Sequence, residues 1–226
     1  MRLNQFVART SQLSRRAADG AIERGEVSVN GQVGVLGQAV GPADTVTLGG
    51  KALKLPETTT IIMLNKPVGY VCSRQRQGGS ETIYALLPAN LSNLAYVGRL
   101  DRGSSGLLLL SDDGDLVNRL SHPSFGKVKR YAVRIDRPLA AADAERLERG
   151  IDLGGRSAKM RITGRRGRDL ALELTTGLNR QIRKSLEAVG YEVQTLKRTG
   201  FGPLELGELR PGHWRALSST ELTWLG

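Results

Sequence analysis

Beyond residue 60 the chain consists mainly of short apolar runs of strand length, and this limits the possible folds more than any other feature. Ile61-Ile62-Met63-Leu64 leads into Asn65-Lys66-Pro67. Leu94-Ala95-Tyr96-Val97 and Leu107-Leu108-Leu109-Leu110 follow, with a polar loop between them. Residues 128–135 alternate in character, and Leu170, Leu172 and Leu174 alternate again, which is the period of a strand. Helical patterns are fewer and are expected over residues 115–120 ahead of Pro123, 141–149 and 179–189. Strands that do not alternate regularly with helices predict an α+β domain around a mixed or antiparallel sheet. No internal repeat or low-complexity tract is present.

The first fifty residues follow another pattern. Leu3, Phe6 and Val7 recur at helical spacing. Ser14 is placed to cap a second helix carrying Ala17, Ala18, Ala21 and Ile22, which Gly25 ends. Val27-Ser28-Val29 then alternates into Asn30-Gly31, a tight-turn signal, and Val46 and Leu48 supply a returning strand. Arg2, Arg9, Arg15, Arg16 and Arg24 are concentrated in the helical half. On one face their guanidiniums would bind phosphates without regard to sequence. Gly49-Gly50 and the polar tract Pro56-Glu57-Thr58-Thr59-Thr60 mark an expected linker. The expectation is a small domain over residues 1–55 and a larger one over 60–226.

Charge narrows the choice of partner. Thirty-three Lys and Arg against 22 Asp and Glu leave a formal charge of +11, which concentrates polyanions and suits a phosphate backbone. With aromatics at 4%, no broad platform for stacking single-stranded bases is available, so base recognition must rest on very few rings. Cys72 is the single cysteine, which rules out an internal disulfide and suits a reducing compartment. Met1-Arg2-Leu3-Asn4-Gln5 opens no apolar leader, and no apolar stretch reaches membrane-spanning length. A soluble, cytoplasmic protein with no membrane partner is expected.

Cofactor chemistry leaves little trace in the sequence. His122 and His213 are isolated, Cys72 has no partner at ligand spacing, and no Gly-rich phosphate loop appears. Asp112-Asp113-Gly114-Asp115 could open a calcium loop, but its twelfth position is Pro123, so it reads as a turn that caps a helix. No metal and no cofactor are expected. The most unusual stretch is Gly98-Arg99-Leu100-Asp101-Arg102-Gly103-Ser104-Ser105-Gly106-Leu107, a carboxylate flanked by arginines in a small-residue loop between two apolar strands. A scaffold of buried strands fixes such a loop while its backbone can approach a ligand. Neighbouring guanidiniums keep a carboxylate ionised and nucleophilic. On these residues alone, a structural Arg–Asp pair in a turn is the alternative.

Several blocks resemble a known family. Gly98-Arg99-Leu100-Asp101 with Ser104, Gly106 and Leu107 is similar to the catalytic motif of pseudouridine synthases, in the group typified by RsuA, RluB, RluE and RluF. Leu64-Asn65-Lys66-Pro67 with Gly69-Tyr70 is similar to that family's opening strand, and Lys129-Arg130-Tyr131-Ala132-Val133 to a later block. Asn179-Arg180-Gln181-Ile182-Arg183 with Gly190 resembles its late helix, and Gly202-Pro203-Leu204 with Leu209 and Gly212 its ending. Arg2-Leu3, Ser14-Arg15, Gly25 and Val27 to Gly31 resemble the S4 RNA-binding domain.

The resemblance implies isomerisation of uridine to pseudouridine in ribosomal RNA, by a monomer, with no cofactor. The N1–C1′ bond breaks, the uracil turns while bound, and it rejoins through C5. Asp101 is the implied nucleophile, Tyr131 the ring against the flipped uracil, and Arg183 the arginine that pairs with the carboxylate. Arg99, Lys129 and Arg180 join the five N-terminal arginines as expected RNA contacts. Alternation puts Tyr131 on one strand face with Lys129, Val133 and Ile135. In the late helix Ile182, Leu186 and Val189 form the core stripe, leaving Arg183 on its flank, where a surface pair with Glu187 is the alternative. Thr176 stands where an acidic residue is usual and Gly103 where a polar one is; both bear on substrate choice. The competing expectation is a non-catalytic RNA-binding or ribosome-assembly protein that keeps this fold.

Overall fold

The computed structural model describes residues 1–11, 13–55, 59–122 and 127–225. Pro56, Glu57 and Thr58 of the expected linker, and Pro123, lie outside the described residues. The chain divides into two compact units, Met1–Thr60 with Asp112–Gly114, and Ile61–Ser111 with Asp115–Gly226. No helix among the described residues is long and apolar enough to cross a membrane.

In the first unit, helices α1 (Leu3–Thr10) and α2 (Arg15–Glu23) precede strands β1 (Val27–Val29), β2 (Gln32–Val33), β3 (Val46–Leu48) and β4 (Lys51–Leu53). The Ser14 side chain accepts from the Ala17 amide and so satisfies one of the open donors of α2. Ala18, Ala21 and Ile22 are buried with Leu3, Phe6, Val7, Val27, Val29 and Val46, whereas Ala17 is exposed. Asn30 and Gly31 both have positive φ (53° and 81°), the backbone twist of a two-residue hairpin turn. The strands form an antiparallel sheet in the order β2-β1-β3-β4. Gly49-Gly50, expected to open the linker, instead turns the β3–β4 hairpin, because both glycines take positive φ (56° and 77°).

The second unit is built on one mixed sheet. Its strands are β5 (Ile61–Lys66), β6 (Ala95–Tyr96), β7 (Ser105–Ser111), β8 (Lys129–Ile135), β9 (Ile151–Asp152), β10 (Ser157–Ala158), β11 (Arg161–Arg166), β12 (Asp169–Leu174), β13 (Val193–Phe201), β14 (Leu204–Glu205) and β15 (Trp214–Ala216). Its helices are α3 (Gly114–Ser121), α4 (Ala141–Arg149), α5 (Gln181–Ala188) and α6 (Ser219–Thr223). The main order is β11-β12-β8-β13-β7-β5-β15, with β14 on β13, β6 on β7, and β9–β10 a separate pair. Among these strand pairings only β13–β7 is parallel.

The unbroken apolar runs of β5 and β7 follow from cover on both faces, the usual reason a strand loses its alternation. Met63, Leu107 and Leu109 pack with Leu116, Leu120, Phe201 and Leu204. Ile62, Leu64, Leu108 and Leu110 pack on the other face with Ile83, Leu94 and Leu100. The other half of the sheet alternates, with Val133, Ile135, Leu170, Leu172 and Leu174 packed under α4 and α5 against Leu147, Ile182, Leu186 and Val189. Helix α5 begins at Gln181 and not at residue 179, because Arg180 takes a left-handed conformation (φ 52°) that a helix cannot propagate.

Candidate active site

The loop between β6 and β7 is held by its backbone. Gly98 N donates to Ser121 Oγ at 2.9 Å, Arg102 O accepts from Gly69 N at 2.8 Å, and Asp101 O accepts from Ser104 N at 3.0 Å. Leu100 is buried beneath the loop. Lys66, the last residue of β5, is fully buried, and its ammonium donates to Pro67 O (3.0 Å), Asp101 O (3.1 Å) and Ser104 O (2.7 Å). Burial pushes this ammonium down to about 8, with Cys72 and Asp101 opposing the fall. Three carbonyls therefore converge on one buried donor, which fixes the turn that carries Asp101. The Asp101 carboxylate accepts no hydrogen bond and joins no ion pair among the described residues, so its oxygens are free to meet a ligand.

That carboxylate opens into a cavity of about 280 Å³ inside the second unit. The β8 and β13 face supplies Lys129, Tyr131, Leu196, Arg198 and Phe201, and the segment before α5 supplies Thr176 to Ile182. Arg99 and Arg180, both exposed, also line it. Asp101 is the one acidic residue of the lining, facing Arg99, Lys129, Arg180 and Arg198. Such a site attracts a polyanion and holds one carboxylate within a positive field. Burial lowers the Lys129 ammonium, and the charge on Arg198 adds to that. The buried Gln181 holds the segment before α5: its Oε1 accepts from the Thr176 hydroxyl (3.0 Å) and Leu178 N (3.1 Å), while its Nε2 donates to Lys159 O (3.0 Å).

Asp101, Tyr131, Arg99, Lys129 and Arg180 thus meet in one cavity. Arg183 does not line it. The expected carboxylate pairing is absent: Arg183 Nη2 donates to Gly103 O at 2.6 Å and Nη1 to Val193 O at 2.9 Å, a clamp between the Asp101 loop and β13. Its charge still senses Asp101, which raises its proton affinity against the lowering by burial and Arg180. No ion pair with Glu187 forms among the described residues. In the first unit, Arg2, Arg15 and Arg16 are exposed and form no ion pair among the described residues. Arg24 is held by Glu26 (2.7 Å), and Arg9 donates to Thr59 Oγ1 (2.9 Å) with Asp113 at 3.6 Å.

Sequence reading missed Arg198, Phe201 and Gln181. The first two lie on β13, whose polar composition and two register shifts, at Val193/Thr195 and Arg198/Gly200, conceal the strand period. The only signal for Gln181 is its place at the start of α5, three residues after Leu178 and immediately before the apolar stripe.

Residues 60–188, more than half of the chain, match the family model described as RNA pseudouridylate synthase. The chain is similar to the dual-specificity RNA pseudouridine synthase RluF of Escherichia coli K12, at 34% identity over 98% of this chain and 77% of that protein. It is also similar to the ribosomal large subunit pseudouridine synthase B of Pseudomonas aeruginosa, at 36% identity over 98% of this chain and 60% of that protein. A solved pseudouridylate synthase superposes with a TM-score of 0.70 at 30% identity, each chain covered in full.

Proposed function

Since the chain belongs to the RNA pseudouridine synthase family, we propose that it isomerises uridine to pseudouridine in ribosomal RNA, with Asp101 as the nucleophile. One observation carries the assignment of the residue. In a cavity lined by four cations, a single carboxylate is held by its own backbone and has no partner for its side chain among the described residues. A protein that only binds RNA gains nothing from an unpaired negative charge at that point, which repels phosphate. Attack of a carboxylate oxygen on C1′ forms an ester-like bond there, and the N1–C1′ pair of electrons leaves with the uracil. After the base has turned, C5 attacks C1′, the electron pair of the O–C1′ bond returns to Asp101, and C5 loses its proton. Bonds and charge balance without an oxidant or an energy source. Tyr131, whose ring lines the cavity from β8, is suited to hold the flipped base, and its phenol to accept or pass the C5 proton.

The first unit, which resembles an S4 domain, serves in this reading as a phosphate grip. Arg2, Arg15 and Arg16 are the arginines free for it, a narrower set than the five that composition suggested. The test uses unmodified ribosomal RNA transcripts carrying tritium at uridine C5. Wild-type protein should release tritium and leave pseudouridine at a defined position, and a failure on all ribosomal transcripts would overturn the assignment. Replacing Arg2, Arg15 and Arg16 together by alanine should weaken binding and flatten its salt dependence by about 0.7–0.9 for each phosphate no longer neutralised. The rate at saturating RNA should not change. An unaltered salt slope would mean that these arginines are merely solvated.

A further inference from the structure

Among the charged side chains that line the cavity, only Arg198 is almost fully buried (3% exposed). Its Nε donates to Leu107 O at 2.7 Å, which fixes the plane of the guanidinium, and its central carbon lies 5.6 Å from the centre of the Phe201 ring. No carboxylate stands within ion-pair distance among the described residues, and its two Nη groups reach no protein acceptor there. An unpaired buried charge costs several kcal/mol, so a fold that keeps one gains only when an anion arrives. The position narrows which anion. Arg198 is the cross-strand partner of Tyr131, so the two side chains stand side by side on one sheet face. Arg99 and Arg180, by contrast, are exposed, where the phosphates of an extruded nucleotide remain.

We propose that Arg198 is a further catalytic residue, which donates from its Nη groups to a uracil carbonyl oxygen and holds the negative charge that develops on the base. The inference rests on reading the cavity as a uridine site served by Asp101. It does not depend on where Asp101 attacks. Attack on C1′ sends the N1–C1′ electron pair into the ring, where it spreads to O2 and O4. Attack on C6 forms the O–C6 bond and moves the C5–C6 electron pair onto C5 and O4. In both routes the uracil oxygens gain charge that the ground state lacks, and a fixed donor in a dry site stabilises that gain selectively.

The test varies the donor and the leaving group together. Arg198→Met keeps the bulk and removes the charge, and Arg198→Lys keeps a cation without the fork. Single-turnover consumption of the target nucleoside is followed by mass spectrometry on two ribosomal RNA transcripts, one with uridine and one with 5-fluorouridine, whose base carries negative charge more easily. On uridine, Arg198→Met should lose about 10²–10³-fold in rate, with Arg198→Lys in between and RNA affinity nearly unchanged. On 5-fluorouridine both losses should shrink at least about tenfold, since a better leaving group needs less help from the enzyme. If Arg198→Met fails to fold, the ratio of losses in Arg198→Lys decides. Equal losses on both transcripts, or a loss confined to affinity, would overturn the inference while leaving the uridine-site reading intact. A wild type that consumes neither transcript removes that reading, and the inference with it.

Discussion

Replacing Asp101 by asparagine should abolish pseudouridine formation while the protein stays folded and bound to RNA. The amide keeps the shape of the side chain but cannot act as a carboxylate nucleophile. Removal of a covalent nucleophile from other enzymes costs on the order of 10⁶-fold, which would put tritium release from C5 at background here. The fold should be unaffected because the structural work at this position belongs to the backbone: Asp101 O receives Lys66 Nζ and Ser104 N. Binding offers a second readout. Asp101 is the one acidic residue of the cavity lining, so its neutralisation should leave RNA affinity equal or raise it, most clearly at low salt. Sustained turnover by a sequence-verified Asp101→Asn protein would falsify the nucleophile assignment.

The second large effect is expected at Gly106, where the damage begins in the backbone. A Cβ at this position would lie 2.2 Å from Arg198 O, 2.6 Å from Arg198 N and 2.8 Å from its carbonyl carbon, all backbone atoms of the neighbouring parallel strand. Gly106 also has φ +108°, which side chains rarely adopt. Overpacking costs about 1–3 kcal/mol and a strained φ a similar amount, so Gly106→Ala should lose roughly 3 kcal/mol or more. For a chain of this size that is a fall in Tm of about 6–12 °C. Activity should fall further than stability, because the strand displaced is the one that carries Arg198. Gly103→Ala, only three residues away, provides the contrast. Its Cβ would sit 3.6 Å from Arg183 Nη2, an ordinary contact, and it should melt like the wild type. Similar melting of the two variants would show that β7 and β13 can part without cost.

The contrast between those glycines also shows what could be read from the sequence. β5 and β7 were legible because burial on both faces leaves uninterrupted aliphatic runs, and β8 and β12 because burial on one face leaves alternation. β13 was not, though it is the longest strand. Lys197 and Arg198 sit in its middle, its register shifts twice, and Arg198 is buried although its charge gives no apolar signal. The short strands β2 and β4 carry mostly exposed residues, so burial wrote no pattern into them. Asp101, Lys129 and Tyr131 could be placed together because motif and alternation agree. The partner of Arg183 could not, since a sequence fixes which residues flank a helix stripe but not which acceptor a long side chain reaches. The structure gives that guanidinium to a backbone carbonyl of the loop.

The sheet order has a consequence for the order in which this protein becomes competent. β13 lies between β8 and β7, and among the described residues it is the only strand joining the half with Tyr131 to the half that follows Asp101. Both halves are complete in the chain by residue 174, apart from the edge strand β15, yet they share no ladder until residues 193–201 arrive. A growing chain therefore carries the Asp101 loop through about ninety residues of further synthesis before the β13 wall of the cavity exists. The cavity closes late, by a parallel pairing across about ninety residues of intervening chain, the kind of long-range contact that forms slowly. A modifying enzyme made on a ribosome is thus inert toward the RNA beside it until its last large segment has been made.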